Sequence, residues 1–152
     1  MTETVLTIAR MHPEDIPEVA ALEKQVYVQP WSEASFAEIL ARPYSLYVAA
    51  RTGGRLAGYA GLLRSGDEAD ITHVVTSPDC RRQGVGRAML SRLLQEGGRE
   101  GIRSFTLEVR VSNEGAIALY HQAGFEDCGV RPHFYQYPTE DALIMWRRDT
   151  TN

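Results

Sequence analysis

Residues 81–89 run Arg-Arg-Gln-Gly-Val-Gly-Arg-Ala-Met, with two glycines one residue apart among three arginines, where the apolar run His-Val-Val gives way to a helical pattern. Every part of this stretch suits an anion. Glycine lets backbone approach a ligand closely, and the first turn of a helix offers unsatisfied N–H groups at the positive end of its dipole. The N–H groups of Arg82, Gln83, Gly84, Val85, Gly86 and Arg87 are therefore expected to converge on a phosphate, with the Arg82 and Arg87 side chains adding charge. Two common phosphate-binding designs do not fit. A nucleotide-hydrolysing loop needs Lys and Ser/Thr after its second glycine, whereas Arg87 and Ala88 follow Gly86. A dinucleotide turn needs a third glycine where Met89 stands and begins directly after its strand, whereas Ser77-Pro78-Asp79-Cys80 intervene.

Other chemistries find less support. The chain has two cysteines, Cys80 and Cys128, with no Cys-x-x-Cys, and its four histidines are scattered, so neither a disulfide framework nor a metal site is expected. A net charge of −4 and a pI near 5.6 argue against direct nucleic-acid binding. That average hides an asymmetry. Residues 1–40 carry seven acids against two bases, and residues 81–110 carry seven arginines against three glutamates. An acidic front and a basic middle suit an anionic ligand held centrally with a cationic partner beside it. No signal-peptide pattern and no apolar run long enough to span a membrane occurs, so a soluble cytoplasmic protein without membrane association is expected.

The elements that must position this turn follow from periodicity. At 152 residues and 43% hydrophobic content, one domain over 1–152 is expected. A first strand at 5–11 is followed by a helix opened by Pro13, with Ile16, Val19, Ala20 and Leu22 at helical spacing. A second helix at 30–40 is capped by Ser32. Strands at 44–50 and 55–63 flank Gly53-Gly54, and a third, 69–77, ends at Pro78. After the glycine turn, Val85, Met89 and Leu93 mark an amphipathic helix closed by Gly97-Gly98. Strand 104–110 alternates in polarity, helix 112–125 is capped by Ser112 or Asn113, and strands 126–131 and 142–148 close the chain around a longer loop. The order predicts an α/β (α+β) fold, a mixed and mostly antiparallel sheet of about seven strands flanked by about four helices.

Arg81, Gly84 and Gly86 form an R-x-x-G-x-G turn that resembles the acetyl-CoA-dependent N-acetyltransferases of the GNAT superfamily. The likeness extends through "HVVTSPDCRRQGVGRAML", "LEVRVSNEGAIALYHQAGF" and "DALIM", which covers nearly the whole chain. Within that superfamily, "PWSEASF", "LEVRVSN" and "ALYHQAGF" look most like the bacterial ribosomal-protein-alanine N-acetyltransferases of the RimI type. The resemblance implies acetyl-CoA as cosubstrate, no metal, direct transfer to a protein N-terminal amine on a ribosomal protein, and a monomer or weak dimer.

It also implies roles for particular residues. Glu108 is marked as the general base, acting through water on an α-amine whose ordinary pKa is about 8. Tyr120 is marked as the acid: a phenol with an ordinary pKa of about 10 returns a proton cheaply to a thiolate whose parent thiol lies at about 8.5. Backbone groups at Val74 and Val75, on a strand that splays at a bulge, pair with pantetheine and polarise the thioester carbonyl. Asn113 meets the pantetheine arm besides capping its helix, and His73 is either a structural residue, a second base or a substrate contact. Pro30, Trp31, Ser32, Tyr135 and Tyr137 are the expected acceptor contacts. Where the RimI-type pattern runs Asn-Tyr-Tyr-Pro, this chain has "HFYQYP", which keeps a small-amine acceptor open. A non-catalytic acyl-CoA-binding module is the alternative of another class. Replacing Gly84 by Leu is expected to weaken acetyl-CoA binding in a direct titration; unchanged affinity would remove the glycine turn from the cofactor site.

Overall fold

Tight turns fold the middle of the chain into an antiparallel meander. In the computed structural model, which describes residues 5–148, β2 (Ser45–Thr52) and β3 (Arg55–Ser65) are joined by Gly53 and Gly54, at φ 58° and 76°. Positive φ at both positions matches the right-handed twist of the flanking strands, and glycine adopts it at no steric cost. β3 turns through Gly66 into β4 (Glu68–Thr76). Around this meander lie β1 (Leu6–Arg10), β5 (Ser104–Arg110), β6 (Glu126–Tyr135) and β7 (Glu140–Arg148), in the spatial order β1-β2-β3-β4-β5-β7-β6. Among the described residues β4 and β5 are the one parallel pair, and every other neighbour is antiparallel.

Helices cover both faces. α1 (Ile16–Val26) and α2 (Glu33–Leu40) bury Val19, Ala20 and Phe36 against Tyr47, Tyr59 and Val75. On the opposite face α3 (Val85–Arg99) and α4 (Glu114–Gln122) pack on Ala60, Leu62, Phe105 and Leu107. Met89, Leu90 and Leu93 of α3 are fully buried, each worth about 1.5–3 kcal/mol of apolar transfer. The strand alternation switches once in β4. Ala69 and Ile71 face the α3 layer, the register slips by one residue opposite Gly61/Leu62, and Val75 then faces the α1–α2 layer. One bulged residue, Thr72, produces that switch, because a one-residue slip turns every later side chain to the other face.

The strand and helix order matches the sequence expectation, with most boundaries shifted by a few residues and the larger differences at α3, α4 and the β6–β7 turn. α3 runs through Gly97-Gly98 to Arg99, and Gly101 at φ 93° follows its end. Gly97 serves packing instead: a Cβ there would lie 3.0 Å from the Phe105 ring and 3.3 Å from Ile102. α4 occupies only 114–122, because the Asn113 side chain caps it at one end and Gly124 at φ 94° follows the other. β6 continues to Tyr135 and β7 begins at Glu140, so the expected loop shrinks to 136–139. Arg110 holds that shorter turn by donating to the backbone oxygens of Gln136 and Pro138 and by pairing with Glu140 at 3.2 Å.

Candidate active site

β4 and β5 pair only at Glu68↔Ser104, Ala69↔Phe105 and Asp70↔Thr106. Beyond that point β4 bulges at Thr72, the strands diverge, and a cleft of about 490 Å³ opens between them. Val74 and His73 of β4 and Glu108 of β5 form its walls, and α4 contributes Asn113 and Tyr120. From the α1–α2 side come Glu23, Tyr27 and Trp31, and from the β6 end Phe134 and Tyr135. Backbone donors and acceptors on the diverging edges have lost their strand partner. Such groups must find another one, which makes the cleft suited to an extended ligand carrying amides.

The glycine turn lies between β4 and α3. Gly84 is the residue before α3 and has φ 79°, a conformation that costs other residues energy. The Ala88 N–H closes the first turn of the helix by donating to the Gly84 carbonyl at 3.0 Å, so the N–H groups of Val85, Gly86 and Arg87 precede the internal ladder. A Cβ on Gly86 would meet Leu119 at 3.4 Å and Thr76 at 3.5 Å, ordinary contacts. Packing within the chain therefore does not require glycine at 86, whereas close approach by a ligand would. Arg81, Arg82, Gln83 and Arg87 are exposed, and Arg87 donates to Gln122 of α4 at 2.8 Å. A larger groove, about 910 Å³, runs outside between α3 and α4, but neither Glu108 nor Tyr120 lines it.

Glu108 and Tyr120 open into the same cleft from different elements. The Glu108 side chain is 33% exposed, with the Arg131 guanidinium 3.9 Å away. Tyr120 is buried against Phe125, and that burial raises its phenol well above the ordinary value, so it holds its proton throughout the neutral range. Asn113 caps α4 by accepting from the Ala116 N–H at 3.2 Å and also faces the cleft. Val74 lines the cleft, whereas Val75 does not: its side chain is buried in the α1–α2 layer and it pairs with Tyr59 of β3. Trp31 and Tyr135 are lining residues. Pro30, Ser32 and Tyr137 are not: Ser32 caps α2 through Ser35, and Tyr137 is 61% exposed on the β6–β7 turn.

The sequence reading missed Glu23, which is only 2% exposed. Its carboxylate accepts from the Tyr59 hydroxyl at 2.5 Å and the Trp31 N–H at 3.0 Å, with His73 Nε2 at 3.5 Å. Burial pushes its pKa up, yet the bonds from His73, Tyr59 and Trp31 outweigh that effect and hold it below the ordinary carboxylate value. A signal was available, since Glu23 continues the apolar stripe of Ile16, Val19 and Ala20 on α1. An acid on a buried face demands partners.

Residues 16–125 match the family described as Acetyltransferase (GNAT) family. The chain belongs to that acetyltransferase family. Its curated relatives include an uncharacterized Mycobacterium leprae protein, 40% identical over 93% of this chain, although the chain spans only 40% of that protein's length. The N-alpha-acetyltransferase RimI of Mycobacterium tuberculosis is 39% identical, covering 98% of this chain and 95% of the relative. The [ribosomal protein bS18]-alanine N-acetyltransferase of Escherichia coli K12 is 37% identical over 91% of this chain and 95% of its own length. A crystal structure of the Escherichia coli ribosomal-protein-S18-alanine N-acetyltransferase superposes with TM-score 0.89 and 33% identity, covering 97% of this chain and 96% of that one. The acetyltransferase fold, with its seven-stranded open sheet and four helices, is therefore as expected. No helix among the described residues is long and apolar enough to cross a membrane, and no cluster of metal-ligating side chains occurs there.

The lowered Glu23 pKa carries a pH signature. A carboxyl depressed on folding contributes stability above its unfolded value and loses it as pH falls through the folded one. Urea midpoints measured from about pH 6 to about pH 3 should therefore fall more steeply in the parent than in Glu23→Gln. Equal slopes would exclude Glu23 as the source.

Proposed function

We propose that this acetyltransferase transfers acetyl from acetyl-CoA directly to a protein N-terminal α-amine, with the N-terminal alanine of a ribosomal protein as its acceptor. One observation carries the chemistry: the β4–β5 divergence brings Glu108 and a protonated, buried Tyr120 into one cleft beside a glycine turn. The acceptor assignment draws on the RimI relatives, which align along nearly the whole chain. Acetyl-CoA supplies an activated thioester, and the chain's residues bind it, orient it and move protons.

The N–H groups of Arg82 through Arg87 hold the pyrophosphate, with Arg81, Arg82 and Arg87 adding charge, while Asn113 and the β4 backbone at Val74 and Val75 pair with the pantetheine amides. A backbone N–H at this bulge polarises the thioester carbonyl. Glu108 takes the ammonium proton through water, which frees the amine to attack. As the C–N bond forms and the C–S bond breaks, the Tyr120 hydroxyl gives its proton to the departing sulfur, and the proton that the new amide nitrogen sheds passes through water to restore the phenol. Trp31 and Tyr135 form the aromatic walls of the acceptor end, where Pro30 and Ser32 set the approach of Trp31 to α2 and Tyr137 borders the β6–β7 turn. The acidic N-terminal segment draws a basic acceptor toward the cleft.

A second reading, acetylation of a small amine, is favoured by the "HFYQYP" departure, which puts Phe134 on the cleft wall. Mass analysis of products from a basic alanine-initiated peptide, its N-blocked twin, peptides with other first residues and common small amines separates the two. Modification of the free alanine peptide but not the blocked twin is expected; modification of small amines alone would replace the proposal with the second reading. Glu108→Gln and Tyr120→Phe should each slow turnover by about 10²–10⁴ with acetyl-CoA affinity little changed. Full activity of either variant would remove that residue from the proton transfers.

A further inference from the structure

Glu23 is the least exposed charged residue described, and the proton transfers above make no use of it. Burying a carboxylate carries a large desolvation cost, and a well-packed apolar side chain of similar volume commonly does as well or better in a purely structural position. The partners of Glu23 come from three separate places. Oε1 meets the Tyr59 hydroxyl of β3 and the His73 ring of β4, and Oε2 accepts the backbone N–H of Trp31 in the α1–α2 connection. His73 is itself enclosed by Tyr27, Trp31, Phe36, Tyr47 and Tyr59, with the Trp31 ring edge-on at 4.6 Å.

On its far side His73 Nδ1 lies 2.9 Å from the Tyr47 hydroxyl, which in turn lies 2.6 Å from Thr72 Oγ1. The carboxylate opposite favours the tautomer with its proton on Nε2, leaving Nδ1 to accept from Tyr47. A continuous polar chain thus runs from the Trp31 backbone through Glu23, His73 and Tyr47 to Thr72. Thr72 is the bulged residue at which β4 leaves β5. Gly61 belongs to the same device, because a Cβ there would lie 2.2 Å from the Tyr47 ring.

We propose that Glu23 and His73 are positioning residues that fix the Trp31 wall relative to the β4 bulge, and so govern acceptor affinity rather than the chemical step. The inference rests on the acceptor reading of this cleft. A carboxamide in place of the carboxylate either turns its N–H end against the Trp31 N–H or, flipped, gives up the bonds from Tyr59 and His73. The indole then loses its fixed seat over the cleft, while Glu108, Tyr120 and the glycine turn stand on other elements.

The test is steady-state kinetics of Glu23→Gln and His73→Phe, each first checked for cooperative thermal unfolding, with acceptor and acetyl-CoA varied separately. Acceptor KM is expected to rise about tenfold, with kcat and acetyl-CoA KM staying within about twofold. In a Trp146→Phe background Trp31 is the one remaining tryptophan, and both substitutions should move its emission to longer wavelength. Unchanged acceptor KM with unchanged emission overturns the inference. So does an equal rise in KM for both substrates, the mark of general softening. If the parent protein acetylates no peptide, the acceptor reading fails on its own; the emission shift and the KM of whichever amine is accepted still decide the role of Glu23 and His73.

Discussion

The structure depends on an interrupted hydrogen-bond ladder at the centre of its sheet. Three residue pairs join β4 to β5, and then the strands part. An interruption there is tolerable because each strand keeps a long ladder on its other side: β4 with β3 to Thr76, and β5 with β7 along its whole length. The helical layers hold the two halves from outside, with Met89, Leu90 and Leu93 on one face and Val19 and Phe36 on the other. What remains is a slot edged by main-chain groups with no strand opposite them. Such groups need partners, and an extended ligand bearing amides provides them along its length.

That slot sets the division of labour among the side chains. β5 alternates, so Leu107 and Val109 go to the core while Glu108 reaches the opening. α4 is short, and its Asn113 cap and Tyr120 both face the same space. Burial of Tyr120 keeps the phenol protonated, whereas Glu108 stays accessible to water, the states that the proposed proton transfers need. The glycine turn follows β4 and leads into α3, whereas Glu108 and Tyr120 come from β5 and α4, so the two features stand on successive strand–turn–helix units. The outer α3–α4 groove is larger but is lined by neither Glu108 nor Tyr120.

The bulge at Thr72 links the slot to the Trp31 side of the cleft. It turns Val75 toward the α1–α2 layer and brings His73 beside Glu23, so the irregularity that helps part the strands also builds the polar chain to Trp31. Family membership accounts for the fold and the acyl transfer. The end of the cleft walled by Trp31 and Tyr135 brings together Glu23, His73 and the short Arg110-held turn after Tyr135.

Much of this was legible in the residues alone, because it rests on local rules. Periodicity and turn glycines reveal the order of strands and helices, Ser32 and Asn113 announce their caps, and the spacing of Arg81, Gly84 and Gly86 marks the turn into α3. Alternation in 104–110 separates Glu108 from its apolar neighbours. Other features depend on residues far apart in the chain. Gly97 looks like a helix stop until Phe105 is packed against it, and Tyr135 looks like loop until it pairs with Glu140 of β7. Glu23 could be recognised as an acid on an apolar stripe, but its partners Tyr59 and His73 lie 36 and 50 positions away. Local sequence determined which backbone conformations and side-chain chemistries were available; only tertiary packing decided which buried charges found partners and where two strands of one sheet would part.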